Sequence, residues 1–209
     1  MKRIRVVGLV GAESTGKSTL AHMLVGRLRT HGVLVELSAE PGSARPFPAN
    51  LLDNHPAAHF YTVAQKLASE AHALLRPNVD FLVSDRTPLD LYAYFAARPS
   101  LSAAGKAELG ALARAWVRGN YDAIYYLPIE GAPYKEDGFR ATASANTWRA
   151  EVDSFLSGAV DRLYGQGMMA VRVQGSFRER AEYVYHHVLH TFLGKSRPLR
   201  AYQQIRDWL

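Results

Sequence analysis

Short apolar runs alternate with longer stretches of helical periodicity along this chain. Ile4 to Val10 is an unbroken, β-rich apolar run, as a strand buried on both faces requires. Ser18 to Thr30 then places Leu20, Leu24 and Leu28 on one helical stripe, and Val33 to Leu37 predicts a second strand. A loop broken by Pro and Gly follows, through Pro48. Phe60, Val63, Leu67, Ala71 and Leu74 recur at helical spacing, which predicts a helix to Leu75 with those residues facing the core. Asp80 to Ser84 is a third short strand, ending at Asp85.

Pro88 suits the first turn of a helix running to about Ala97, and a further helix covers about Ala103 to Arg118. Ala123 to Leu127 is a fourth strand. Gly131 to Ala143 is polar and Gly/Pro-marked, so it reads as a loop, followed by a helix to about Tyr164. Met168 to Val173 is a fifth strand. Ser176 and Glu179 have the spacing of a capping box and open a last helix through Phe192. Strands alternating with helices predict an α/β fold, a five-stranded parallel sheet with helices on both faces. No repeat or linker divides the chain. It is expected to form one domain over 1–193, with a lid loop at about 131–143 and a basic, aromatic tail over 194–209.

Composition narrows the chemistry. There is no cysteine, which excludes disulfides, thiolate metal sites and thiol catalysis. The chain has 25 basic and 19 acidic residues, a net charge of +6, and only six of the basic residues are Lys. The planar fork of Arg matches phosphate oxygens, which favours anionic ligands. The excess is too dispersed for a nucleic-acid surface, so no nucleic-acid partner is expected. No segment reaches the roughly 18 apolar residues that span a bilayer. The apolar start runs directly into Glu13 and Lys17 with no cleavage site, so it reads as a strand. No membrane partner and a cytoplasmic location are expected; a homodimer is left open.

One motif carries the functional reading. Gly11, Ala12, Glu13, Ser14, Thr15, Gly16, Lys17 and Ser18 satisfy G-x-x-x-x-G-K-[ST], with Thr19 following. A chain of this composition would match by chance roughly three times in a thousand. The match also lies between a buried strand and an amphipathic helix, the context that a phosphate loop needs. Its backbone N–H groups and helix dipole would cradle phosphate, with Lys17 on the β- and γ-phosphates and Ser18 on Mg²⁺. The fold is therefore expected to be the three-layer phosphate-loop NTPase fold, with ATP and Mg²⁺ as cofactors. No N-K-x-D for guanine and no L-S-G-G-Q occurs, and 209 residues leave no room for the helical lid domain of an AAA+ motor. Small-molecule kinases remain.

Such a kinase needs a second Mg²⁺ carboxylate, an acceptor-side carboxylate and a basic lid. Asp85 ends an apolar strand, where its carboxylate can face Mg²⁺, and Arg86 follows as a phosphate or hydroxyl clamp. Glu40 comes just after the second strand, at the carboxyl edge where ligands bind, and can deprotonate or align the acceptor hydroxyl. Arg45 lies nearby, and Gln65 is a polar residue on an otherwise core-facing helix that could read a base edge. In the lid loop, Arg140 and Lys135 would neutralise charge in transfer, and Tyr134 could stack on a flat ring. His186, His187 and His190 have no metal-ligand spacing with a carboxylate and read as a helix face.

The phosphate loop Gly11–Thr19, the run Asp85-Arg-Thr-Pro-Leu89 and Asp137-Gly-Phe-Arg140 together resemble the nicotinamide riboside kinase domain of bacterial NAD-biosynthesis regulators and its ATPase-like relatives. The resemblance covers about 4–192 and implies ATP-dependent phosphorylation of a riboside 5′-hydroxyl. Arg86 departs from the Thr of that family's segment, and Tyr134 stands where Trp is common. The adenylyltransferase H-x-G-H of those regulators is absent. Glu40-Pro41 and Asp85-Arg86 are also similar to deoxynucleoside kinases and, with Gly42, to thymidylate kinase, although Ala39 stands where thymidylate kinases carry Arg. Two other classes stay open: a nucleotide-dependent regulatory ATPase, and a kinase for a non-nucleoside metabolite.

Overall fold

The computed structural model describes residues 3–41, 46–48, 50–98, 100–130 and 145–194. Arg45, the lid loop with Tyr134, Lys135 and Arg140, and the tail from 195 onward lie outside the described residues. Five strands form one sheet: β1 (Arg5–Val10), β2 (Val35–Ser38), β3 (Phe81–Asp85), β4 (Ala123–Tyr126) and β5 (Met169–Arg172). Their order is β2-β3-β1-β4-β5 and every pairing is parallel. Among the described residues the helices are α1 (Lys17–Arg29), α2 (Leu51–Asn54), α3 (Pro56–Leu74), α4 (Pro88–Ala96), α5 (Ala103–Asn120), α6 (Ala145–Gly165) and α7 (Phe177–Leu193). The four-residue α2 is the one element the periodicity does not announce. No described helix is long and apolar enough to cross a membrane.

The central strands are apolar because both their faces are covered. On one face Val7, Leu9, Phe81, Val83 and Tyr125 pack with Leu20, Leu24 and Leu28 of α1 and Val184 and Val188 of α7. On the other, Val6, Val10, Leu82, Ile124 and Tyr126 meet α3, α4, α5 and α6. Side chains at even and odd positions of β1 thus divide between two cores, as the period of two demands. β5 at the sheet edge is half exposed.

Two local features set the edge where ligands bind. At Gly8 a Cβ would lie 2.5 Å from both Thr87 Cγ2 and Tyr121 Cε1, so only glycine lets the segment after β3 close onto β1. Thr87 caps α4 in a capping box with Asp90, and Pro88 follows it in the first turn. Ser176 and Glu179 form the expected capping box at α7.

The helix between β2 and β3 departs from its apolar pattern. Phe60, expected inward, is 41% exposed, whereas Lys66 and Glu70 are 0% exposed. Val63 is buried, and Leu67 and Leu74 pack against the core as expected. The inward face is turned toward Lys66 and Glu70 because they satisfy each other and the strand ends beneath them.

Candidate active site

β1 ends at Val10 and α1 begins at Lys17, so Gly11–Gly16 is the connecting loop. Gly16 caps α1 in the left-handed region at φ 88°, and a Cβ there would stand 2.9 Å from the Phe177 ring of α7. Ser14 also adopts a positive φ, 56°. The loop closes on itself through Thr15 Oγ1, which donates to the Ala12 carbonyl at 3.0 Å. Lys17 is 5% exposed, and its Nζ donates to the same carbonyl at 2.6 Å and to Thr15 Oγ1 at 3.4 Å. Ser18 and Thr19 are exposed in the first turn of α1.

Burial, and then the nearby Arg86 guanidinium, push the Lys17 ammonium down to about 8, against the pull of Asp90, Asp85 and Glu40. Phosphate oxygens favour the ammonium, so binding a triphosphate must take up a proton once the pH exceeds about 8. Affinity for a non-hydrolysable ATP analogue is therefore expected to fall as pH rises from 8 to 9.5, by up to about tenfold per unit. Calorimetry in buffers of differing ionisation enthalpy should show proton uptake at pH 9 and almost none at pH 7. Lys17→Met should abolish that difference.

β3 lies beside β1 with Asp85 paired to Leu9, which sets its carboxylate next to the phosphate-loop strand. Asp85 is 3% exposed, and its buried Oδ1 has no hydrogen-bond partner among the described residues. Buried carboxylate oxygens are normally satisfied. Asp85 Oδ1 and the exposed Ser18 hydroxyl are oxygen donors of the kind that Mg²⁺ takes. The next residue, Arg86, holds a left-handed backbone at φ 59°, which costs a non-glycine residue about 1–3 kcal/mol. Its carbonyl accepts from Ser84 Oγ at 3.1 Å, and its guanidinium lies 4.5 Å over the Tyr94 ring. Arg86 Nε sits 3.0 Å from Glu40 Oε1, an ion pair whose angle is not that of a hydrogen bond. Burial works against the Arg86 charge, but Tyr94, Glu40, Asp90 and Glu13 outweigh it.

The structure thus brings together Lys17, Glu13, Glu40, Asp85 and Arg86, from three segments of sequence at one sheet edge. Arg140 lies outside the described residues. Gln65 is partly buried on α3, and its Oε1 lacks a partner among the described residues. His187 Nδ1 shares a hydrogen bond with the Tyr125 hydroxyl at 2.7 Å, His186 pairs with Glu182 at 3.3 Å, and His190 is exposed, so these three decorate α7 away from the loop.

Four residues at this edge escape the sequence reading. Asp90 accepts from Gly11 N through Oδ1 and from Thr87 N and Oγ1 through Oδ2, each at 2.9 Å. It rivets the phosphate loop to the segment carrying Asp85 and Arg86; the T-x-x-D spacing was the signal for it. Tyr94 on α4 is 6% exposed, its hydroxyl has no partner among the described residues, and burial above all holds that hydroxyl protonated. Arg149 on α6 is buried and its Nε donates to the Glu13 carbonyl at 2.9 Å. Arg180 is buried and donates to Pro128 O and Gly175 O at 2.9 and 2.8 Å and to Glu130 O, joining the exits of β4 and β5. Nothing local in the sequence marks Tyr94, Arg149 or Arg180.

A family model described as an AAA domain, AAA_28, matches residues 6–180. No curated protein matches. Among solved structures, the chain is similar to a NadR protein in complex with NAD and AMP-PNP, at 17% identity and a TM-score of 0.66, covering 94% of this chain and 51% of that one. A NadR protein in complex with NR gives 18% identity and a TM-score of 0.67, over 94% and 53%. The chain thus spans about half the length of the NadR proteins. Thymidylate kinase from Candida albicans gives 18% identity and a TM-score of 0.62, over 90% and 92% of the two chains. At these identities the likenesses show the fold alone, the α/β fold with its phosphate loop between β1 and α1.

Proposed function

The chain belongs to the AAA domain family AAA_28, and from that membership and the site geometry we propose an ATP- and Mg²⁺-dependent kinase acting on a nucleoside-type hydroxyl, with nicotinamide riboside the leading acceptor. One observation carries the reading: the Glu40–Arg86 pair, 3.0 Å apart, lies close enough to the Lys17 ammonium that both its charges act on it. An ATPase switch needs the phosphate loop and Asp85; it has no use for a second carboxylate aimed at an acceptor. The resemblance to nicotinamide riboside kinases, and the NadR structure in complex with NR, support the choice of acceptor.

The loop amides and Lys17 hold the triphosphate and balance charge that develops on it. Asp85 and Ser18 would hold Mg²⁺, which when bound neutralises the phosphate oxygens. Glu40 aligns the acceptor hydroxyl and takes its proton as the oxygen bonds to the γ-phosphorus. The bond from that phosphorus to the ADP oxygen breaks, giving ADP and a phosphomonoester.

A nucleoside monophosphate kinase is the rival reading. The match in length and fold to thymidylate kinase supports it. The Arg86 charge is already met by Glu40, however, which favours an uncharged acceptor over a second phosphate. A coupled ADP-release assay across nicotinamide riboside, nucleosides and nucleoside monophosphates separates the two. Turnover is expected with a riboside. A preference for monophosphates selects the rival, and slow turnover indifferent to every acceptor selects a switch.

A further inference from the structure

Helix α3 carries its charges inward. Lys66 and Glu70 lie one turn apart, both 0% exposed, with Nζ 3.6 Å from Oε1. The ammonium is surrounded by oxygen. It lies 2.9 Å from both Ser38 O and Ser38 Oγ, 3.2 Å from Ala39 O and 3.0 Å from Asp85 O. Three N–H donors therefore serve four acceptors and a carboxylate. Glu70 is fixed in turn by Ser84 Oγ, the Tyr121 hydroxyl and Trp116 Nε1, each donating at 2.6 Å.

The position of those oxygens is what matters. Ser38 ends β2, Ala39 directly precedes Glu40, and Asp85 ends β3. One cation therefore joins the two strand ends that deliver the acceptor-side and metal-side carboxylates. Stability alone does not account for it, because apolar residues of similar volume serve a core at least as well as a buried ion pair. We propose that Lys66 is a positioning residue whose ammonium clamps the Ser38–Ala39 and Asp85 carbonyls and so fixes the separation and orientation of Glu40 and Asp85. The role rests on the kinase reading of this site.

The test uses the full chain with Lys66→Ala and the neutral double variant Lys66→Met/Glu70→Gln, which leaves no unpaired buried charge. In both, kcat is expected to drop about 10–100-fold and the Mg²⁺ titration midpoint to move upward by a similar factor, the scale of outer-shell contacts at metal sites. Propylammonium, which replaces the missing atoms of Lys66→Ala, should restore kcat; propanol should not. Amide exchange at 38–40 and 84–86 should quicken in both variants. A folded double variant with native kcat, Mg²⁺ midpoint and exchange overturns the proposal, whatever happens to Lys66→Ala. A wild-type chain that phosphorylates no acceptor overturns the kinase reading instead. The clamp is then judged on the Mg²⁺ dependence of binding a fluorescent ATP analogue and on the exchange rates; native values for both in the variants refute it.

Discussion

Lys17→Ala should abolish measurable phosphoryl transfer while leaving the chain folded. The Nζ of Lys17 is a cation within the phosphate loop, held against Ala12 and Thr15. In transfer chemistry with little covalent work for the protein, losing one preorganised charge costs about 10²–10³-fold in rate or more. The fold should not suffer, because burial disfavours the Lys17 charge and its removal lifts that desolvation cost. kcat/KM and a thermal melt measured together settle it: a loss of activity at near-native Tm is expected. Retained activity would make the loop vestigial.

Glu40→Gln comes next in size. An amide can still hold the acceptor hydroxyl but cannot take its proton, and general-base contributions run to about 10²–10⁴-fold. Affinity for ATP should hardly change if Glu40 acts on the acceptor side, as proposed. The ion pair adds a second consequence. Without the carboxylate, Arg86 keeps its charge at 7% exposure with the Tyr94 ring beneath it and no matching anion at 3.0 Å. Some loss of stability is therefore expected, and Arg86→Gln in the same background should restore stability without restoring kcat. Asp85→Asn should behave differently, moving the Mg²⁺ titration as well as the rate. A modest Glu40→Gln effect would reduce Glu40 to a hydroxyl-binding group, since positioning can outweigh proton removal in a loose transition state. No effect on kcat or acceptor KM would remove it from the site.

The parts legible in the sequence are those whose signals are local. The phosphate loop is a contiguous motif. The strands β1, β3 and β4 are apolar runs because each is covered twice, and the capping box at Ser176 needs four residues. Asp85 and Glu40 stand out as candidates because strand ends are visible in the sequence and ligands gather there. Contacts made across the chain were not visible. Lys66 carries no local sign of its inward role, because the groups that hold it, on Ser38, Ala39 and Asp85, lie 19 to 28 residues away. Arg149 reaches a carbonyl 136 positions distant. For α3 the apolar periodicity misplaced Phe60 because a neutralised pair, not a leucine, faces the strand ends. Tyr94 has no local mark in the sequence; its hydroxyl without a partner among the described residues and the guanidinium above its ring are properties of the assembled site.

The most direct test of the account is a phosphorus NMR time course of the purified chain with ATP, Mg²⁺ and nicotinamide riboside. One phosphomonoester should appear for each ADP formed, with its phosphorus coupled to the 5′-methylene protons of the acceptor and no parallel growth of inorganic phosphate. Accumulation of inorganic phosphate in step with ADP, with the acceptor unmodified there and with the other nucleosides of the panel, would contradict it and leave a nucleotide hydrolase.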